Sequence, residues 1–486
     1  MWDEDDEDGA RARRVQLWNR ACGSALAPVR VLVAVLAPLL LMALAVPGAV
    51  SDPFVAAPVY PMLLGDAGPA LSRALGEGRW LGWLWAMEAS EISLAGQQML
   101  YFGLWAVAAA ALALGIFRMD TTPWRAWIAA AALFFAPPAA ELARAFPELV
   151  PAVAVIAAYA LAVAILPLAA AQWAALVAVP LGLMADVAVP LVLLAVLLAG
   201  AWPDERPGAL GRSLLAVLAG LVIGVVAIFV LNWAMHGALG VLREPAGAAP
   251  EDPLDLLAPW LVRMALGLFG PEPLLGAGLV ALGLVVLFLW APPLAHRLLG
   301  GLGIVLLVVS IGAMHSSRVP AFSEALAVWL LVVAVLSWAA QCPPHRAIGA
   351  GFTVALGLAA VQGLDFWRDR LGGAARYQAA SRALAAEIVA AAPGQGPLVL
   401  AGSPGAVAGA SVLGEFRALA LRIAYLTGRD AVQCPSLDTL CAAHRADFLD
   451  MPHRPQPGWV EPSGPGETAP VLVRLPDGVF RPAPKR

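Results

Sequence analysis

Charge is what this sequence lacks most. Asp, Glu, Lys and Arg together make up 13% of its 486 residues against 61% hydrophobic, and the mean hydropathy is +0.79. A soluble domain is about one quarter charged, and a water-soluble fold of this length could not cover its surface with so few ionised groups. That excludes a soluble multidomain protein and leaves a polytopic membrane protein. Lysine is nearly missing, with Lys485 the single example. The arginines form no stripe with interleaved aromatics, so the electrostatic footprint of nucleic-acid binding is absent. Neither an internal repeat nor a heptad run is present, which sets aside solenoids and coiled coils. An almost lysine-free chain rich in Ala, Gly and Pro suits a GC-rich bacterial genome.

What is there is apolar sequence in blocks. Residues 1–30 form a polar tail with an acidic run, Asp3–Asp8, followed by Arg11, Arg13, Arg14, Arg20 and Arg30. The stretch 31–50 is long enough to span a ~30 Å hydrocarbon core. Its thirty-residue acidic leader is atypical of a cleaved signal peptide, so it reads as an uncleaved first helix. Further blocks fall near 97–117, 126–140, 149–168, 170–183, 185–202, 213–233, 274–292, 299–314, 322–340 and 348–364, with prolines crowding 126–202. The expected fold is an α-helical polytopic membrane protein of about eleven transmembrane helices, over residues 31–364. An odd count puts the N-terminus in the cytoplasm and the C-terminus outside, periplasmic in a bacterial inner membrane. Eleven Arg fall in the roughly sixty residues assigned to the cytoplasm, against six in about a hundred external ones before the tail, the direction the positive-inside rule requires.

Beyond 365 the composition becomes that of a soluble segment, 365–486. The pattern predicts an amphipathic helix over 376–392, a strand at Pro397–Ala401, a helix over 411–428 closed by Gly428, and a strand at Pro470–Leu475: a small α/β domain. Cys22 and Cys342 fall on the cytoplasmic side. Cys434 and Cys441 lie seven apart in the external tail, where a close pair reads as a disulfide. Zinc held by Cys434, Cys441, His444 and His453 is the rival, but the spacing matches no common zinc site.

The external loop 52–96 carries most of the chemistry. It holds Asp52, Tyr60, Asp66, Arg73, Glu77, the run Gly78-Arg79-Trp80, Glu88 and Glu91. A carboxylate among apolar and aromatic neighbours suits a general base, because burial disfavours its charged form. An arginine beside aromatics suits a bidentate grip on phosphate near lipid headgroups. The bland alternative is a solvated loop with Trp80, Trp83 and Trp85 as an interfacial belt.

An N-in first helix, a long external loop with Asp52 near its start and Gly78-Arg79-Trp80 further on, a dense apolar array and an external tail together resemble GT-C-type membrane glycosyltransferases. The similarity is greatest to the O-antigen-modifying glucosyltransferase (type II) group. It rests on about forty-five residues, and here Asp52 is followed by Pro53 where the group has adjacent carboxylates. The resemblance implies a polyprenyl-phosphate-linked sugar as donor, a glycan or lipid acceptor in the cell envelope, and a catalytic acid residue in this loop. On that basis Asp52 is the first choice for the base that activates the acceptor hydroxyl. Asp66 is the second, or a helper that orients the acceptor or binds a metal. Arg79 would contact the donor phosphate or hold the loop together. No cofactor is called for, and a divalent metal is compatible with the aspartates but not required.

Other charges carry two readings each. His315 and Arg318 are candidates to hold the leaving polyprenyl phosphate, where a cation stabilises developing charge, against a short snorkelling loop. Arg243, Arg263 and the acidic residues Glu244, Glu251, Asp252 and Asp255 form a lid or a plain linker. Asp186 lies in an apolar stretch, where an ionisable group is costly and often functional, unless it sits at a helix end. Glu141, Arg144 and Glu148 cap a hairpin, and Asp365 to Arg370 anchor the last helix with Trp367. A transporter or flippase of a lipid-linked saccharide, or a non-catalytic envelope assembly protein, would be built from similar parts.

Overall fold

A computed structural model describes residues 27–45, 55, 59–117, 123–200, 208–237, 239–240, 273–316, 322–342, 345–394, 396–401, 416–434, 460–462 and 471–474. The first described element is α1 (Ala27–Ala45), followed by three short helices, α2 (Tyr60–Leu63), α3 (Gly68–Glu77) and α4 (Trp80–Ala89), and the long α5 (Leu94–Ile116). There follow α6 (Pro123–Phe134), α7 (Pro137–Leu142), α8 (Phe146–Ile165), α9 (Leu168–Ala185) and α10 (Val189–Ala199). Next come α11 (Ala209–His236), α12 (Pro273–Trp290), α13 (Pro292–Ser316), α14 (Phe322–Gln341) and α15 (Arg346–Ala391). The C-terminal part adds β1 (Leu398–Ala401), α16 (Phe416–Thr427), β2 (Ala431–Cys434), β3 (Val460–Pro462) and β4 (Val471–Arg474).

Among the described residues, five helices are long and apolar enough to cross a membrane: Leu94–Ile116, Pro137–Ile165, Leu168–Ala185, Leu210–His236 and Arg346–Leu371. Shorter apolar helices accompany them. α10 and most of α14 are buried on every side and form the centre of the array. α11 does the opposite, exposing Leu215, Leu218, Val222, Val226, Val230 and Trp233. A helix apolar all round that is also exposed belongs in lipid. This is a helical membrane protein.

The prolines of 126–202 start helices more often than they break them. Pro137, Pro147 and Pro190 occupy the first turns of α7, α8 and α10, where the missing N–H has no intrahelical acceptor to lose. Glycine sets the closest approaches. A Cβ on Gly220 of α11 would lie 2.8 Å from Val179 Cβ of α9, and one on Gly224 would lie 3.1 Å from Pro180 Cα. Small residues four apart let two apolar helices touch backbone to backbone.

The end of α6 is the junction of the array. Its last four carbonyls need partners, and all four have them. The N–H groups of Phe135 and Ala136 donate to Ala131 and Leu133 at 2.8 and 3.4 Å. The indoles of Trp329 on α14 and Trp105 on α5 donate to Ala132 and Phe134 at 2.9 and 3.0 Å. A third indole, Trp367 on α15, donates to Ala136 at 3.2 Å and stacks on Phe134 with ring centroids 5.7 Å apart.

Two expectations need correction. The polar loop expected at 293–298 lies inside α13, because Pro292 and Pro293 open a helix at the position proline favours. The boundary placed at residue 364, with a separate helix from 376, falls inside α15, which runs unbroken for 46 residues. No proline interrupts 346–391, and a helix of that length reaches roughly 69 Å at 1.5 Å per residue, well beyond a ~30 Å core. Its far end packs Leu384, Ala385 and Ile388 against Leu398 and Leu400 of β1 and Leu419, Ala420 and Ile423 of α16, a second small core. The sheet runs β2-β1-β4-β3, with β1 parallel to β2 and β4, and β3 antiparallel to β4. Gly428 closes α16 with φ +67°, as its position suggested.

Gly363 tests the junction. A Cβ there would stand 2.1 Å from the carbonyl oxygen of Phe135, a backbone atom with no room to move. Gly363→Ala is expected to destabilise the protein by about 2–4 kcal/mol and lower its unfolding midpoint in detergent. Gly357→Ala on the same helix, with nothing within 4 Å, is expected to leave the midpoint in place. Equal midpoints for both variants would contradict this junction.

Candidate functional site

The loop 52–96 is not an open solvated linker over its described part, 59–96; α2, α3 and α4 fold it back onto the array. Each residue of Gly78-Arg79-Trp80 has a separate task. Gly78 ends α3 in the left-handed region, φ +80°, where a Cβ would also meet Ile228 Cδ1 at 2.7 Å. Trp80 is buried, and its indole donates to Asn232 Oδ1 at 2.9 Å. The Asn232 amide, with no exposed surface, donates in turn to the carbonyls of Leu75 and Gly240 at 3.1 and 2.6 Å. One polar side chain near the end of α11's apolar run thus fastens both α3 and α4. Trp85 fastens α4 on its other side, donating to the Pro147 carbonyl at 2.6 Å. Gln97 closes the turn into α5 through the carbonyls of Ala89 and Ile92. Trp80 and Trp85 each tie α4 to a neighbouring element.

Arg79 turns from this joint toward Asp186, with Nη1 3.2 Å from Oδ2, and toward Glu77, with Nε 2.7 Å from Oε2. The Nε–H is not aimed at that oxygen, so the Glu77 contact is an ion pair without a formed hydrogen bond. Asp186 lies where α9 stops, in extended backbone, and its Oδ1 accepts the Ala188 N–H at 2.9 Å. It sits at a helix end and is buried. Arg73 on α3 and Glu148 at the head of α8 form a two-pronged pair, Nη1 to Oε2 at 2.5 Å and Nη2 to Oε1 at 2.7 Å. Burial works against the Arg73 charge, but the hydrogen bonds and charge of Glu148, with Glu77 beyond, outweigh it and hold the guanidinium above its usual pKa.

These groups enclose an open pocket of about 430 Å³ lined by Asp66, Arg73, Arg79 and Glu148 among Pro61, Met62, Ala86 and Ala185. Asp66 is exposed; its Oδ1 accepts the Gly68 N–H at 2.9 Å in a tight turn before α3. Among the described residues no cation pairs with Asp66. A second pocket of about 400 Å³, nearly all apolar, lies between α5, α8, α10 and α14 with Asp186 in its wall. The Arg79–Asp186 pair therefore stands between a polar pocket and an apolar one.

The structure brings Asp66, Arg73 and Arg79 of this loop together and adds Glu148 and Asp186, which the sequence had left in separate segments. Asp52 and Arg318 lie outside the described residues, as do the loop 241–272 and Cys441, and with Cys441 the expected disulfide. His315 is on α13, with its side chain outside the described set. Cys434 is on β2. Glu141 does not cap a hairpin alone: it accepts Arg144 Nη1 at 3.2 Å and lies 3.0 Å from Arg370 Nε on α15. Sequence reasoning passed over Asn232, although a lone amide inside a membrane-length apolar run is itself a signal. Among the described residues no group of three or more His, Cys, Asp and Glu is placed to hold a metal. No protein-family model, curated protein or solved structure matches this chain.

Asn232→Leu keeps the volume and removes all three hydrogen bonds, leaving Trp80 Nε1 and two carbonyls unmatched. Each buried group left unmatched costs roughly 1–3 kcal/mol. A lowered unfolding midpoint and faster proteolytic cleavage within 60–96 are expected; wild-type behaviour in both assays would remove Asn232 as the anchor of this loop.

Proposed function

We propose that the chain is a bacterial inner-membrane glycosyltransferase that moves a sugar from a polyprenyl-phosphate donor to an envelope glycan or lipid. In this reading about eleven helices span the membrane, the N-terminus is cytoplasmic, and the pocket and the C-terminal α/β part lie on the periplasmic side. The observation that carries the reading is the pocket itself, with two guanidiniums and a carboxylate, Asp66, that no cation among the described residues pairs with, beside an apolar helical array.

The charge balance favours a glycosyl donor over free phosphate. Around the pocket stand four carboxylates, Asp66, Glu77, Glu148 and Asp186, against the two guanidiniums of Arg73 and Arg79. Among the described residues, each guanidinium at the pocket already faces a carboxylate, so the site as a whole is not net cationic. A sugar phosphodiester brings a single negative charge, and its hydroxyls donate to carboxylates. In the reaction a carboxylate takes the proton of the acceptor hydroxyl, the freed oxygen bonds to the anomeric carbon, and the bond from that carbon to the phosphate oxygen breaks. The departing polyprenyl phosphate gains the charge, which a fixed guanidinium stabilises. Arg79, held by Glu77 and Asp186, is the donor-side candidate, and Asp66 and Asp52 are the candidates for the base.

The test compares surface glycan from cells carrying wild type, a deletion, Asp66→Asn or Asp52→Asn, with membrane levels of each protein checked. The deletion is expected to lose a sugar substituent. The base is the aspartate whose Asn variant, at normal membrane level, loses it too, with a rate at least about 100-fold lower. Glycan unchanged in the deletion would overturn the reading.

A further inference from the structure

The structure assigns the C-terminal helix α16 a part in the pocket: Tyr425 is a positioning residue that holds the turn carrying Asp66. This assignment rests on the glycosyltransferase reading for its functional consequence, not for its geometry. α16 uses two faces. Leu419, Ala420 and Ile423 face α15 and β1 in the small C-terminal core. Leu421 and Tyr425, one turn apart, face the other way and pack against the core of the membrane array.

Tyr425 meets Tyr60, with ring centroids 6.1 Å apart at 54°. Tyr60 opens α2 and is 1% exposed. From Tyr60 the chain turns tightly: the N–H of Leu64 donates to the Tyr60 carbonyl at 2.9 Å, and that of Asp66 to the Pro61 carbonyl at 2.8 Å. Pro61, Met62 and Asp66 of this turn all line the pocket. Asp66 itself is exposed, so its place is set by the anchored end of the turn rather than by packing of its own.

α16 in turn has a fixed base. Buried Arg422 donates from Nε to Ser381 Oγ on α15 at 2.6 Å. α15 is tied to the array by Trp367 in the aromatic cluster and by the Arg370–Glu141 pair. The route from array to α15, to α16, to Tyr60 and then to Asp66 is a continuous set of contacts. A C-terminal part hung on a flexible linker would have no such route.

The experiment uses the full-length protein in detergent or nanodiscs, with Tyr425→Ala and Tyr425→Phe. Hydrogen exchange of backbone amides is read over 60–66, with α5 and α11 as internal references, and donor-dependent sugar transfer is measured alongside. Tyr425→Ala is expected to speed exchange at 64–66 about tenfold or more and to leave α5 and α11 protected. It is also expected to lower kcat for transfer at least about tenfold with the donor KM within about twofold. Tyr425→Phe, which keeps the ring, is expected to restore both. Unchanged exchange at 64–66 in Tyr425→Ala overturns the assignment, as does loosening of α5 and α11 together with the turn, or failure of Tyr425→Phe to rescue. Faster exchange at the turn in a protein whose wild type transfers no sugar would overturn the functional reading and leave the positioning role standing.

Discussion

A peptide carbonyl released inside hydrocarbon has no water to turn to, and the arrangement of this protein depends on how that constraint is met at the end of α6. Pro137 and Pro138 stop the helix there, and the freed carbonyls are taken by the chain's own N–H groups and by indoles from α5 and α14. A third indole, from α15, donates to the carbonyl of Ala136. Tryptophan suits this task because its ring fills apolar space while its single N–H must find an acceptor when buried. A break that would be costly in isolation becomes the point where four helices are fixed relative to one another. From it α7 and α8 depart in the directions that bring Glu141 to Arg370 and Glu148 to Arg73.

A chain so poor in charge uses its ionised groups between segments distant in sequence. Arg73–Glu148 joins α3 to α8, Arg79–Asp186 joins the α3–α4 junction to the end of α9, and Glu141–Arg370 joins α7 to α15. Partly buried pairs of this kind return little net stability, because desolvation offsets much of the attraction. Their geometric effect is larger: a two-pronged arginine–carboxylate contact fixes the plane of the guanidinium as well as its position. Around the pocket that means both guanidiniums are oriented before any ligand arrives.

The coarse fold was legible because hydropathy reports directly on lipid exposure, and α5, α9, α11 and the membrane part of α15 fall close to the blocks read from sequence. Two kinds of feature were not. Periodicity carries no information about a boundary inside an uninterrupted helix, so the change of composition near 365 gives no sign that α15 runs through it. Pair identity was also hidden. Arg79 and Asp186 are 107 positions apart, as their numbers show, and nothing local to either names the other. The Gly78-Arg79-Trp80 run stood out as chemistry, yet Gly78 and Trp80 are explained by packing on Ile228 and Asn232, and Arg79 alone faces the pocket. A short motif reports that three residue types are needed together, not that they are needed for the same reason.

That division bears on which wall of the pocket can move. Its far wall is built from residues with several fixed attachments: Arg79 on Asp186, Arg73 on Glu148, and α4 between Asn232 and Pro147. The Asp66 turn is different. Gly65 stands at φ +81° with nothing within 4 Å of its Cβ position, and Asp66 is held by hydrogen bonds local to the turn. If one wall of the pocket yields when a hydroxyl-bearing substrate enters, physical economy places the movement there, pivoting on buried Tyr60. In the proposed glycosyltransferase, a carboxylate that approaches one hydroxyl after another is better placed on a short pivoting turn than on the rigid side, where a shift would break ion pairs in several helices at once.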